Sequence, residues 1–209
     1  MNILEPFAYP TTALVRVHGP RGYKDYTDYK PFLRDEFSFR CVYCLERERW
    51  YPNWGGSFSA DHFVPKVIAP DRETEYDNLV YACVRCNSYK RADVTSLDPA
   101  IVPFAEHFLV AGDGRIEGRG PEARELIHTL HLNDGPALAT RLGVLRLLRL
   151  KERYPTDDDI HALFMGDFGY PDDLPDLARL RPPGGNARPD GIAASHFERR
   201  KRGELPEVY

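Results

Sequence analysis

Apolar positions change their period along the chain, and each change marks a different kind of element. Between residues 121 and 168 the spacing is helical. In PEARELIHTLHL, Leu126, Ile127 and Leu130 share one side, Pro121 stands at the first position and acids fill the first turn, which predicts a helix. In PALATRLGVLRLLRLKERY, Leu138, Leu142, Leu145 and Leu148 recur at steps of four, four and three, with arginines on the other faces. That stripe predicts the core of a helical subdomain, with a dimer seam as a second use. TDDDIHALFMGDF predicts a third helix, capped by Thr156. Upstream, HFLVAGDGRIEG alternates around Gly112-Asp113-Gly114 and predicts a β-hairpin. PFLRDEF predicts a short helix with Pro31 in its first turn and Asp28 as its cap. Residues 1–30, rich in Tyr, Pro and Gly, predict irregular structure, and beyond LRPPGGNARPDG the composition is that of a loose tail.

Composition narrows the class without naming it. At 209 residues the chain fits one domain, or one with an appendage, and buries a sizeable core. With 42% hydrophobic and 29% charged residues and no apolar run of membrane-spanning length, it reads as a soluble protein with no membrane contact. MNILEPFAYPTT lacks the basic start and long apolar stretch of a signal peptide, so the expected location is cytoplasmic. A net charge of −4 argues against a protein that coats nucleic acid, but not against one whose phosphate contacts are local.

The cysteines change the picture. Cys41, Cys44, Cys83 and Cys86 form two C-x-x-C pairs, each holding two sulfurs on one side of a bend, and two such pairs complete a tetrahedral site that suits zinc. A redox dithiol would need only one pair. Between Cys44 and Cys83 lie 38 residues, more than the ~15–20 of a plain zinc ribbon. The insert contains SADHFVPK, where Asp61 and His62 are adjacent in a short extended run. Neighbouring strand residues face opposite ways, so both meet one ligand only if the strand ends there, which Pro65 permits.

Four pieces in order, CVYC, DHFVPK, the Asn of YDNLVYAC, and CVRCNSYK, resemble the HNH endonucleases over roughly residues 35–93. The family letters fall on His62, Asn78 and Asn87, and Lys90 matches a recurrent family position. The resemblance implies a ββα-metal core in which Asp61 and Asn87 hold Mg²⁺ or Mn²⁺, His62 is the general base and Asn78 fixes the loop and the orientation of His62. It also implies that a structural Zn²⁺ on the cysteines takes no part in the reaction. Lys90 is expected to contact phosphate, with solvated surface charge as the alternative for it and for Arg85 and Arg91. Phosphodiester hydrolysis needs an activated water and a cation on the charge developing at phosphorus, tasks that suit an imidazole and hard oxygen ligands.

The expected fold is therefore α+β: irregular residues 1–30, a zinc-stapled HNH core over 31–98, a hairpin and helical extension over 99–180, and a flexible tail over 181–209. The expected partner is nucleic acid, double-stranded DNA first, cut to 5′-phosphate and 3′-hydroxyl ends, with room for a protein that delivers the target and for a homodimer. GRIEGRGPEARELIHTLHLNDGPALATR resembles the extension of bacterial HNH proteins, some of them effectors of phage defence. The rival reading is a zinc-ribbon module that binds nucleic acid or protein without cutting; it has no use for Asp61, His62 and Asn87 together. His128 and His131 stand three apart on a predicted helix without further ligands, which points to packing or solvent exposure; His107 and His161 are background.

Overall fold

Leu79–Cys83 (LVYAC) is apolar throughout and buried at all five positions, the pattern of a strand covered on both faces. The computed structural model describes residues 6–51 and 53–209. In chain order these form helix α1 (Lys30–Glu36), strands β1 (Phe58–His62) and β2 (Leu79–Cys83), helices α2 (Val84–Lys90) and α3 (Phe104–His107), and strands β3 (Phe108–Val110) and β4 (Ile116–Gly118). Helices α4 (Pro121–Thr129), α5 (Gly135–Arg153), α6 (Asp158–Phe168), α7 (Asp190–Ala193) and α8 (His196–Lys201) follow. Each strand pair is its own antiparallel two-stranded sheet, so the fold is α+β as expected. In the first sheet Phe58 lies opposite Cys83 and His62 opposite Leu79. Helix α2 follows β2 without a linker and packs on both strands.

Several element ends differ from the sequence expectation, each for a local reason. Helix α2 begins at Val84 because the Cys83 sulfur accepts the Cys86 N–H at 3.5 Å and serves as the N-cap. Asp28 does not cap α1; Asp25 instead accepts from Thr27 N at 2.8 Å and caps the 3₁₀ turn Tyr26–Tyr29 that leads into it. Helix α6 is capped by Asp157, which accepts from Ile160 N at 2.9 Å, so Thr156 lies outside it. On α5 the deepest positions are Ala137, Arg141 and Val144, and the leucine stripe is half-buried beside them. Arg141 breaks the expectation that arginines keep off the core. It is fully buried because its guanidinium donates to the carbonyls of Gly114 and Leu132, each at 2.5 Å. Gly114 (φ 80°) lets the hairpin turn approach α5; a side chain there would meet Leu138 Cδ1 at 3.3 Å.

One apolar core joins Phe7, Leu33, Phe58, Leu79, Phe108 and Phe168, so the hairpin and the helical extension pack on the same interior as the cysteine-bearing stretch. The described part of the N-terminal segment is irregular up to Tyr26; its first five residues lie outside the described ones. Beyond residue 181 the structure departs from a loose tail. Helices α7 and α8 form there, Arg188 donates to both oxygens of Asp77 at 3.0 and 2.9 Å, and Tyr209 packs on Phe39 and Tyr170. These partners are distant in sequence, so local composition gives no sign of them. No described helix is long and apolar enough to cross a membrane.

Candidate active site

The four cysteines converge. Their sulfurs all lie within 4.8 Å of one another, all four residues are buried, and Cys44 Sγ sits 3.8 Å from Cys83 Sγ. Tetrahedral zinc with Zn–S of about 2.3 Å requires sulfurs about 3.8 Å apart, so the donor set fits a structural zinc ion. The first knuckle closes through Leu45, whose φ of 60° is left-handed and whose N–H bonds Cys41 O at 3.0 Å. It is tied to β2 by Val42 N to Tyr81 O at 2.9 Å. The second knuckle is the start of α2. Hydrogen bonding from the Cys41, Cys44 and Cys86 sulfurs pulls the Cys83 thiol well below its ordinary pKa, while burial pushes Cys44 up. Arg85, 2.7 Å from Glu46, adds positive charge beside the cluster.

Helix α2 lies across β1, and that crossing builds the site. Asn87 Nδ2 donates to Ser59 Oγ at 2.8 Å, and its amide oxygen has no hydrogen-bond partner among the described residues. One turn on, Lys90 Nζ reaches the His62 carbonyl at 2.6 Å and Asp61 Oδ1 at 3.3 Å. Tyr43 donates to Asp61 Oδ2 at 2.9 Å. Burial pushes the Asp61 carboxyl above the usual carboxylate range, against the pull of the Lys90 ammonium and the Tyr43 hydroxyl. Strand β1 ends at His62, so Asp61 and His62 line the same cleft of about 260 Å³, together with Tyr26, Lys66, Asn87 and Arg91.

His62 is fixed by its surroundings. Its Nε2–H donates to the Glu73 carbonyl at 2.9 Å, Nδ1 has no hydrogen-bond partner among the described residues, and its ring rests on Tyr26 at 4.4 Å between centroids. Asn78, buried in the turn before β2, accepts from Val64 N at 2.9 Å and donates to the carbonyls of Val64 at 3.0 Å and Arg72 at 3.3 Å. It therefore braces the loop that follows His62.

The structure thus brings Asp61, His62 and Asn87 together and puts Asn78 behind them. Lys90 is different. With its side chain 0% exposed, its ammonium points inward at Asp61, away from the phosphate contact expected of it. The cations that line the cleft are Lys66 and Arg91, both exposed. No role was expected of Lys66, although it stands inside DHFVPK, whereas Tyr26 and the Glu73 carbonyl carry no motif. Lys66 also joins these two: Nζ is 3.0 Å from a Glu73 carboxylate oxygen and 5.3 Å from the Tyr26 ring centroid. His128 and His131 are exposed, with His131 bonded to Asp134 at 2.9 Å, and the only metal-ready cluster of His, Cys, Asp or Glu among the described residues is the cysteine one.

Knuckle, strand, strand and helix, with a His at the strand end and an Asn on the helix, define a class. Residues 41–93 match the HNH endonuclease family model, and this stretch of the chain is an HNH domain. Over 114 residues the chain is 25% identical to the Septu protein PtuB of Bacillus thuringiensis, a stretch covering 50% of this chain and 42% of that protein. The match thus spans less than half the length of that relative.

Proposed function

We propose that this protein is a metal-dependent endonuclease that hydrolyses phosphodiester bonds, DNA first, in a phage-defence or restriction setting in the cytoplasm. The observation that carries the reading is the convergence of Asp61, His62 and Asn87, from one strand end and one helix, on a cleft rimmed by Lys66 and Arg91. His62 accepts a proton from the attacking water at Nδ1, because Nε2 is spent on the Glu73 carbonyl. Asn78 and Tyr26 hold that imidazole in place, and Lys66 and Arg91 meet the phosphate oxygens. The water oxygen bonds to phosphorus, the bond to the 3′ oxygen breaks, and that oxygen leaves with a proton from solvent, giving 5′-phosphate and 3′-hydroxyl ends. Asp61 and Asn87 offer two hard oxygen donors, a set that suits a Mg²⁺ or Mn²⁺ ion keeping most of its waters. Such an ion, when bound, supplies positive charge at the reacting phosphate.

One observation favours the rival reading, a zinc-bearing module that binds without cutting: Lys90 already balances the Asp61 charge. The test is cleavage of plasmid DNA with and without Mg²⁺, beside a His62→Ala variant. The expected result is Mg²⁺-dependent cleavage that falls by about 10² to 10⁴ in the variant with fold and zinc retained, and by less in Asn78→Ala. Binding without cleavage in any divalent cation, or a His62→Ala protein that cuts like wild type, overturns the proposal.

A further inference from the structure

On α5, Arg146, Arg149 and Arg153 stand on one exposed face at steps of three and four, with the exposed Leu150 among them. These four residues line a shallow hollow of about 550 Å³ outside the cleft. None of the three arginines has an ion pair among the described residues; Arg149 reaches only a backbone carbonyl, Gly112 O at 3.3 Å. Acids are not scarce in a chain with 32 Asp and Glu against 28 Lys and Arg. Four Arg and one Lys against one Glu give α5 a net charge of +4, so the rest of the −4 chain carries −8.

Helix stability does not account for this stripe. The C-terminal end of a helix favours cations, which covers Arg153 and Lys151 in the last turn but not Arg146 two turns earlier. Like charges three and four residues apart disfavour the helix that carries them. The side chains are arginines, whose planar fork matches phosphate oxygens in pairs. From Arg146 to Arg153 the helix rises by about 10 Å at 1.5 Å per residue, the axial length over which one duplex strand presents about three phosphates.

We infer that this face of α5 binds the phosphate backbone of the DNA substrate outside the cleft, an inference that rests on the nuclease reading. The experiment compares wild type with the triple variant R146Q/R149Q/R153Q, and with its Arg→Lys counterpart, for binding of a labelled duplex across a salt series without divalent cation. Circular dichroism checks that helix content is kept. The expected loss is about tenfold or more in affinity at fixed salt, with the slope of log K against log salt shallower by about 2 to 3, while the Lys triple keeps most of the slope. A Gln triple with wild-type affinity and slope overturns the inference, leaving the stripe to an acidic protein surface. Wild type that cuts, beside a Gln triple that cuts with the same KM, likewise overturns the stripe alone. Wild type that binds through the stripe but cuts in no divalent cation overturns the nuclease reading and leaves the stripe a DNA-binding face.

Discussion

His62 is held from three directions: its ring nitrogen by Glu73, its ring face by Tyr26 and its carbonyl by Lys90. Two lysines near it play opposite parts, and substitution should separate them. Lys66→Ala removes an exposed cation at the cleft mouth, so KM should rise with the melting temperature unchanged, and Lys66→Arg should recover most of the loss. Lys90→Ala leaves the buried Asp61 carboxylate unpaired, a change that costs about 3 kcal/mol or more, so its first effect should be on thermal stability. Melting curves beside steady-state kinetics check both; equal effects of the two substitutions on KM would contradict the assignment. The family letters were legible because CVYC, DHFVPK, the Asn of YDNLVYAC and CVRCNSYK stand in order along the chain. Which lysine faces outward was not, since packing against β1, and no local pattern, turns Lys90 inward. Tyr26 lies outside any motif and reaches His62 only through the tertiary fold.

At the level of elements, the clearest unannounced feature is a clasp on α1. Asp35 accepts from His18 Nε2 at 2.8 Å and from His196 at both Nδ1 (3.0 Å) and the backbone N–H (2.8 Å), joining the N-terminal segment, α1 and α8. Burial opposes the carboxylate charge, but the hydrogen bonds from His18 and His196 and the charge of His196 bring its pKa down to about 2. An unfolded Asp titrates near about 3.9, so the folded chain keeps its charge to lower pH. The stabilisation is present above the unfolded value and is lost as pH falls from about 4 to about 2; it is on the order of 2 kcal/mol. Asp35→Asn should therefore lower stability at neutral pH and flatten its acid dependence in that window, as denaturant titrations at several pH values would show. A wild-type acid profile in the variant would count against the clasp. The hairpin and helices α4 to α6 were legible because each satisfies its own period. Helices α7 and α8 were not, because they are short and held by residues more than a hundred positions away.

For the whole molecule, the cysteine cluster sits inside the core that also holds the helices, while Asp61 and Asn87, the proposed oxygen donors, face a cleft. On the proposed function, the two metals should consequently be separable. Mild chelation should stop cleavage reversibly with zinc and circular dichroism unchanged, whereas Cys83→Ser should lose zinc and loosen the core, since structural zinc contributes folding free energy directly. Elemental analysis, cleavage and melting measured on the same samples check this; well-folded protein free of zinc would contradict it. Cys83 has one more consequence. It ends β2, caps α2 and belongs to the cysteine cluster, with no residue to spare between strand and helix. One residue inserted after it would turn α2 by about 100° and swing Asn87 and Lys90 off β1. Related chains should then vary in length within 67–71, between the residues that hold His62, and keep 79–90 at fixed length, so insertions and deletions, more than substitutions, trace where this site can evolve.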